Sequence, residues 1–280
     1  MALPPPDPGT TCLITGASSG IGAEIARELA SRGLGVTLVA RREERLRELA
    51  DELAGTYGVE AEVVTGDVSK ERSRKAIFNE VERRGLTVEV LVNNAGFGSG
   101  GRFTGLDAEK EASMVRTNCE AVTAFCGHYL PEMEQRGRGA VLNVASLIAF
   151  QPVPFQATYG ATKAFVLSFT DALHEEMRGK GVTVTAVCPG PVHTEFGEQG
   201  GFGGADERIP DALWLDAGKV AEDAINALEA DKVARDAVRA MENGDRITVP
   251  GAGNQIAALW GQHLPRSLLL PLVKRIWPVS

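Results

Sequence analysis

The chain has 280 residues, of which 44% are hydrophobic and 24% are charged, and its formal net charge is −8. This length suits one large domain or one domain with an appendage, and the composition is that of an ordinary globular enzyme. The acidic balance excludes a general attraction to nucleic acid or to an anionic membrane. No run of about 18 apolar residues occurs, so no membrane span is predicted.

The four cysteines, Cys12, Cys119, Cys126 and Cys188, have no Cys-x-x-Cys spacing and are predicted to be reduced thiols. Residues 1–9 are rich in proline and contain no basic segment followed by an apolar one. We therefore expect a disordered leader rather than a targeting peptide, and a cytoplasmic location.

Short apolar runs alternate with longer helical patterns along the chain. Strands are predicted at 11–15, 35–40, 61–66, 88–93, 139–145, 182–188 and 246–249, and helices at 23–29, 42–57, 69–84 and 107–135. Repeated strand-then-helix order predicts an α/β fold, a Rossmann-like doubly wound parallel sheet of about seven strands with helices on both faces. Ligands bind such sheets at the carboxyl ends of the strands.

The glycine-rich segment TGASSGIG at 15–22 joins the first predicted strand to a helix. Glycines at this junction let the backbone turn sharply and approach a phosphate, which the helix N-terminus then stabilises. No Gly-Lys-Ser/Thr follows, so the pattern predicts a dinucleotide site rather than a nucleotide triphosphate site. The alternative for the segment taken alone is a plain connecting turn.

Tyr159 and Lys163 lie four residues apart, which places both on one face of a helix. A nearby ammonium is expected to lower the pKa of the Tyr159 phenol from its usual value of about 10. Such a pair can exchange a proton with a carbonyl or alcohol oxygen. Ser146, at the end of a predicted strand, offers a hydroxyl to the same oxygen. Asn118 is an awkward polar residue for a helix interior.

These motifs, TGxxxGIG at 15–22, NNAG at 93–96 and YxxxK at 159–163, resemble those of the short-chain dehydrogenase/reductase family. The resemblance covers about residues 10–250, and Asn118, Ser146 and the turn Pro189-Gly190 match further family positions. It implies that Tyr159 is the general acid or base and that Ser146 orients the carbonyl. It also implies that Lys163 holds the nicotinamide ribose and that Asn118 maintains a proton-relay water.

The resemblance also implies a set of cofactor-binding residues after the predicted strands. They are Gly16, Ser18, Ser19, Gly20, Ile21 and Gly22 of the glycine turn, Asp67 and Val68, Asn94, Ala95 and Gly96, Tyr159 and Lys163, and Pro189, Gly190, Val192 and Thr194. Family members transfer hydride directly, without a metal. No metal site is predicted here, because the four histidines are scattered along the sequence.

Arg41 and Arg42 follow the second predicted strand, about 20 residues past the glycine turn, where an NAD site usually has an acidic residue. Arginine there can clamp a 2′-phosphate through a forked, charge-assisted contact. The sequence therefore favours NADP(H) over NAD(H), with Arg41 ranked ahead of Arg42. The alternative is that both residues are the solvated start of the next helix.

Two further segments concern the substrate. A glycine-rich stretch within 191–215 predicts a substrate lid. Residues 251–280 predict an apolar helical extension that packs on the domain or at an interface, with a peripheral membrane contact left open. Apolar residues between Ser146 and Tyr159, with Phe196 and Phe202 in the lid, favour a hydrophobic ketone, aldehyde or secondary alcohol.

The sequence thus predicts an NADP(H)-dependent oxidoreductase for such a substrate. A 3-oxoacyl thioester reductase is the alternative within the same class. A non-catalytic dinucleotide-binding sensor is the alternative in another class, and it would not need Ser146, Tyr159 and Lys163 together. Family resemblance also implies a homodimer or homotetramer.

Overall fold

The computed structural model describes residue 3, residues 5–192 and residues 230–276. Thr194 and the part of the predicted lid beyond residue 192 lie outside the described residues.

One parallel sheet of seven strands organises the described chain, in the order β3-β2-β1-β4-β5-β6-β7. The strands are β1 (Thr10–Thr15), β2 (Val36–Ala40), β3 (Ala61–Thr65), β4 (Thr87–Asn93), β5 (Gly139–Val144), β6 (Val182–Val187) and β7 (Ile247–Thr248). The strand order reverses between β1 and β4, so their carboxyl ends border the crevice where such sheets bind ligands. The predicted doubly wound fold is confirmed.

The helices cover both faces of this sheet. They are α1 (Gly20–Ser31), α2 (Glu43–Tyr57), α3 (Glu71–Arg83), α4 (Ala108–Val115), α5 (Ala121–Arg136), α6 (Ala157–Glu176), α7 (Ala230–Asn243), α8 (Ala252–His263) and α9 (Arg266–Ile276). Short 3-10 helices occupy Phe103–Gly105 and Leu147–Phe150.

Successive strand residues point to opposite faces, so each strand supplies two cores. In β1, Ile14 packs in the cluster beneath α1, α2 and α7, whereas Leu13 packs in the cluster beneath α3, α5 and α6. Both residues are completely buried. Because helices cover both faces, apolar residues are needed on both sides of the strands, and they predominate there beside a few threonines.

The helix predicted at 107–135 is interrupted. A π-helical turn, Arg116–Glu120, joins α4 to α5. A π turn adds one residue to the helical ladder and often occurs at a functional site. It carries Asn118, whose side chain is almost fully buried. Asn118, which is unfavourable in the interior of a regular helix, therefore lies at an irregular turn.

The C-terminal helices pack on the segment between β5 and α6. Val153 from that segment forms a small buried cluster with Leu269 and Val273 of α9. No helix in the described part of the chain has the length and apolar character needed to cross a bilayer.

Candidate active site

The glycine turn follows β1 and opens α1. Gly16 and Gly20 have φ values of 68° and 55°, a left-handed conformation that glycine adopts without strain. Ser19 is the N-cap of α1, but its side chain makes no capping hydrogen bond. The first backbone N–H groups of the helix therefore face the carboxyl end of the sheet without a side-chain cap, as an anion site requires.

Asn94, directly after β4, locks this turn to the neighbouring strand. Its Nδ2 donates to the carbonyl oxygens of Thr15 and Gly16 at 3.0 and 3.1 Å. A Cβ at Gly16 would lie 2.8 Å from the same nitrogen, and a Cβ at Gly22 would also collide with it. Gly16 and Gly22 are thus needed because the Asn94 amide lies between them.

Thr15 completes the connection between the two loops. Its hydroxyl oxygen accepts from the backbone N–H groups of Asn94 and Ala95, each at 3.1 Å, and donates to the carbonyl of Val92. Thr15 is the first residue of the glycine motif, but it was not predicted as a site residue. The available signal was a hydroxyl side chain at the end of a buried strand, next to the turn.

Arg42 contacts the glycine turn directly. Its guanidinium donates to the hydroxyl oxygens of Ser18 and Ser19, at 3.0 and 2.7 Å. Arg41 is exposed and lies close enough to Asp67 to influence its ionisation. Arg42 therefore lies beside the glycine turn, and Arg41 lies near Asp67, which follows β3.

Asp67 and Val68 follow β3. The Asp67 carboxylate accepts from the backbone and hydroxyl of Ser69, at 3.1 and 2.7 Å. Partial burial raises the pKa of Asp67, but the Ser69 hydrogen bonds, with Lys70 and Arg41 nearby, lower it overall. Asp67 is thus held as a carboxylate, and Val68 is buried beside it in the core.

Ser146 and Tyr159 bring their hydroxyl groups together. Ser146 follows β5 and caps the 3-10 helix Leu147–Phe150, and Tyr159 lies in the first turn of α6. The Ser146 hydroxyl donates to the carbonyl of Pro189 at 3.4 Å, and its side chain lies close enough to Tyr159 to influence its ionisation. Burial raises the pKa of Tyr159 to about 12, and Ser146 only partly opposes this rise. The expected lowering of the tyrosine pKa is not found, because burial disfavours the phenolate more than its neighbours stabilise it.

Lys163 lies one turn after Tyr159 in α6. Its Nζ donates to the carbonyl oxygen of Val144 at 2.7 Å and lies 5.9 Å from the centre of the Tyr159 ring. The side chain is only 5% exposed. Burial lowers the pKa of Lys163 to about 8. The sequence thus placed the two side chains on one face correctly, and β5 positions the ammonium through a backbone carbonyl.

Asn118 connects the π turn to both the β4 loop and α6. It accepts from the backbone N–H of Phe97 at 3.2 Å, and its Nδ2 donates to the Phe97 carbonyl and to the Thr162 hydroxyl, each at 3.0 Å. Thr162 in turn donates to the carbonyl of Tyr159. A Cβ at Gly96 would lie 3.0 Å from Oδ1 of Asn118 and 3.6 Å from Nζ of Lys163. Asn118 therefore holds the backbone at Phe97 directly and the backbone at Tyr159 through Thr162.

The turn Pro189-Gly190 follows β6 and closes the other side of the site. The carbonyl of Pro189 accepts from the backbone N–H of Leu147 at 2.8 Å, which ties the turn to the segment after Ser146. A Cβ at Gly190 would lie 2.5 Å from the amide of Asn254 in α8. Val192 is half-buried and packs against the core beneath α1.

Asn254 was not predicted. It is completely buried, and its Nδ2 donates to the carbonyl of Pro250 at 2.8 Å. No sequence signal separates Asn254 from the other polar residues of the tail, such as Gln255 and Gln262. Within residues 5–192 and 230–276, no three His, Cys, Asp or Glu side chains form a group that would hold a metal.

Comparison with known proteins identifies the family. The family model described as short chain dehydrogenase matches residues 10–200. Sulfoacetaldehyde reductase 2 of Chromohalobacter salexigens is 37% identical over 206 residues, which cover 73% of this chain and 80% of the relative. The chain belongs to the short-chain dehydrogenase family, and it is an oxidoreductase acting between C=O and CH–OH groups.

Two solved structures share the fold over most of their length. A short-chain dehydrogenase from Sphingobium yanoikuyae in complex with NADPH is 31% identical, with a TM-score of 0.76, covering 93% of this chain and 94% of that one. A variant of the actinorhodin polyketide ketoreductase with NADPH is 35% identical, with a TM-score of 0.74, covering 86% and 95%.

Proposed function

We propose that this protein is an NADP(H)-dependent oxidoreductase that interconverts a hydrophobic ketone or aldehyde with the corresponding alcohol. The observation that carries the proposal is the Ser146 side chain beside the Tyr159 phenol, with the buried ammonium of Lys163 5.9 Å from the centre of the tyrosine ring. A non-catalytic dinucleotide sensor would have no use for this arrangement.

Tyr159 supplies the proton. With its pKa raised to about 12, the phenol is protonated at neutral pH, which is the form that can donate to a carbonyl oxygen. The Ser146 hydroxyl donates a second hydrogen bond to that oxygen and so stabilises the negative charge that develops there. Donation leaves Tyr159 as a phenolate, and in the reverse direction this phenolate accepts the alcohol proton.

Lys163 and Asn118 support the tyrosine. The Lys163 ammonium is fixed by the Val144 carbonyl, and its remaining N–H donors can hold ribose hydroxyls. Asn118 holds the Phe97 backbone and, through Thr162, the Tyr159 backbone. We propose that this network keeps the phenol aimed at the substrate and supports the water that returns its proton.

The chain fits a phosphorylated dinucleotide. The N-terminus of α1 and the glycine turn offer backbone donors for the pyrophosphate, and Asp67 is a carboxylate acceptor near the end of β3. The side chains of Arg41 and Arg42 are suited to a 2′-phosphate. The nicotinamide ring, when bound, supplies or accepts the hydride.

NADP(H) is proposed over NAD(H) because the two residues directly after β2 are Arg41 and Arg42 rather than an acidic residue. Arg42 already lies on the serines of the glycine turn, so its charge is positioned where phosphate would bind. The NADPH named in both structural relatives supports the same cofactor.

Apolar packing beside Ser146 supports a hydrophobic substrate. The segment from Ser146 to Tyr159 contains the buried Val153, and Ile148 joins the cluster that Val153 forms with α9. Phe155 has a φ value of 70°, and its carbonyl accepts from the backbone of Gly101 at 2.8 Å. The segment is thus tied to the β4 loop, and we propose that its apolar side chains form one wall of the substrate pocket.

A 3-oxoacyl thioester is the second candidate substrate. The similarity to the actinorhodin polyketide ketoreductase favours it. The sulfoacetaldehyde reductase named among the relatives points instead to a small polar aldehyde, so the two similarities together favour no single substrate.

A substrate panel tests the proposal. NADPH oxidation is followed with bulky hydrophobic ketones, short polar aldehydes and a β-ketoacyl N-acetylcysteamine thioester. We expect the highest kcat/KM for the hydrophobic ketones. A clear preference for the thioester would establish the second candidate, and no turnover with any carbonyl, despite NADPH binding, would contradict the oxidoreductase proposal.

The proposed assembly is a homodimer or homotetramer in the cytoplasm. Val115 of α4 and Phe165 of α6 are 44% and 41% exposed, and Phe165 stacks on Phe169. These helices present an apolar surface of the kind that subunit contacts bury. Light scattering tests this proposal, and a mass equal to one chain would contradict it.

A further inference from the structure

The C-terminal helices α8 and α9 present an apolar face away from the domain. Ile256, Leu259 and Trp260 are spaced to share one side of α8 and are 39%, 55% and 55% exposed. Leu268 of α9 is 66% exposed. The opposite side of α8 includes the buried Asn254, so each helix turns one face to the domain and leaves the other in solvent.

The C-terminal segment that includes this face carries a charge opposite to that of the rest of the protein. Residues 251–280 contain no Asp or Glu but include Arg266, Lys274 and Arg275, whereas the whole chain has a net charge of −8. Arg266 and Lys274 are exposed. An anionic surface would therefore repel most of the molecule and attract this end.

A second copy of the chain is a poor occupant for this face. A two-fold contact would pair this surface with a copy of itself, and residues 251–280 contain no Asp or Glu that could pair with the basic residues there. An anionic lipid surface would instead neutralise them. Tryptophan is enriched where a protein meets the boundary between lipid headgroups and acyl chains.

We propose that α8 and α9 form an anchor that lies flat on an anionic lipid bilayer. Leu259, Trp260 and Leu268 would enter the boundary of the acyl chains, while Arg266 and Lys274 contact headgroup phosphates. The helices have 12 and 11 residues, too few to span the hydrocarbon core.

The anchor also orients the candidate active site. Leu269 and Val273 of α9 pack on Val153, and a Cβ at Gly261 of α8 would lie 3.3 Å from the carbonyl of Phe150. Both contacts lie in the segment between Ser146 and Tyr159. Docking of α8 and α9 would thus bring this side of the site towards the bilayer.

Cosedimentation of the full chain with vesicles tests the anchor. One set of vesicles is pure phosphatidylcholine, and the other is an equimolar mixture with phosphatidylglycerol. We expect binding to the mixture that weakens at high salt. The double variant Arg266→Glu/Lys274→Glu should bind it at least about tenfold more weakly. The double variant Trp260→Glu/Leu268→Glu should show a similar loss.

Two matched variants control for the changes themselves. Arg72→Glu/Lys75→Glu makes the same charge reversal on α3, and Tyr57→Glu replaces an exposed aromatic residue on α2. Both should bind the mixed vesicles like the wild type. All of these positions are exposed, and circular dichroism checks that each variant is folded.

Three outcomes would overturn the proposal. The first is equal binding, or none, to both kinds of vesicle. The second is binding that depends on Arg266 and Lys274 but not on Trp260 and Leu268, which indicates contact with an acidic surface without insertion. The third is a smaller molecular mass for the two C-terminal double variants than for the wild type, measured by light scattering, while their vesicle binding is unchanged. That result would assign the face to a second copy of the chain. Vesicle binding is measured without cofactor or substrate, so its failure leaves the oxidoreductase proposal unaffected.

Discussion

The side-chain amide of Asn94 occupies the space in which a Cβ at Gly22 would have to lie. The same amide bonds the carbonyl oxygens of Thr15 and Gly16. The loop after β4 and the glycine turn after β1 are therefore one packed unit. The glycine at position 22 is required by a protein side chain as well as by the expected phosphate.

Gly22→Ala tests this packing. Alanine normally favours a helix over glycine, but here the added methyl group would collide with both the Asn94 amide and the carbonyl of Gly16, and overpacking of this kind costs about 1–3 kcal/mol. We expect a lower free energy of unfolding in urea and weaker NADPH binding. Gly55→Ala is the matched control, because a Cβ there would meet no atom within 4 Å, and it should stabilise α2 by about 0.5–1 kcal/mol. Equal stabilisation by both variants would show that Asn94 moves aside freely.

Arg41→Ala and Arg42→Ala test the cofactor preference. Loss of a charged contact to phosphate should lower kcat/KM with NADPH at least about tenfold, while the value with NADH changes little. Arg41→Asp should go further and favour NADH, because a carboxylate repels phosphate and accepts from a ribose hydroxyl.

Arg47→Ala is the control for this series, since Arg47 is exposed and pairs with Glu43 within α2. Equal losses with NADPH and NADH in Arg41→Ala and Arg42→Ala would mean that these side chains support the turn without reading the 2′-phosphate. The NADP(H) preference would then be wrong.

Lys163→Met tests the burial of the ammonium. Burial lowers the pKa of Lys163 from 10.5 to about 8, so between these values the unfolded chain binds more protons than the folded protein, and stability rises with pH. Below pH about 8, Lys163 is protonated in both the folded and the unfolded state. The full free-energy cost of burying the ammonium is then present. Relative to Lys163→Met, the cofactor-free wild type should gain about 3 kcal/mol across this range.

Urea unfolding at several pH values measures this difference. Lys75→Met, which removes an exposed lysine paired with Glu71, is the matched control. A difference between wild type and Lys163→Met that stays constant with pH would contradict the burial argument. The same variant should also lose most activity, because the ammonium no longer supports Tyr159.

The sequence predicted the sheet well because its strands are buried on both faces. Runs such as 35–40 and 88–93 are almost wholly apolar, and the structure has β2 and β4 there within one residue at each end. The spacing of Tyr159 and Lys163 was equally informative, since four residues on a helix fix their relative direction.

Other parts of the site depend on contacts between distant segments. Asn94 lies between Gly16 and Gly22, and Asn254 lies against Gly190. Both contacts are made by residues that are far apart in the sequence. Motif spacing carries no information about such contacts. The π turn at Asn118 was visible only as a polar residue in a helix, and the raised pKa of Tyr159 depends on burial that no local pattern reports.

The roles of the hydroxyl pair are tested most directly by Tyr159→Phe. NADPH oxidation with the best ketone of the panel should fall about 10²–10⁴-fold, while NADPH binding, followed by fluorescence, stays within a small factor of the wild type. Tyr129→Phe is the matched control: its buried hydroxyl has no hydrogen-bond partner among the described residues, so its loss should leave activity unchanged. Full activity in Tyr159→Phe would contradict the central claim that this phenol delivers the proton.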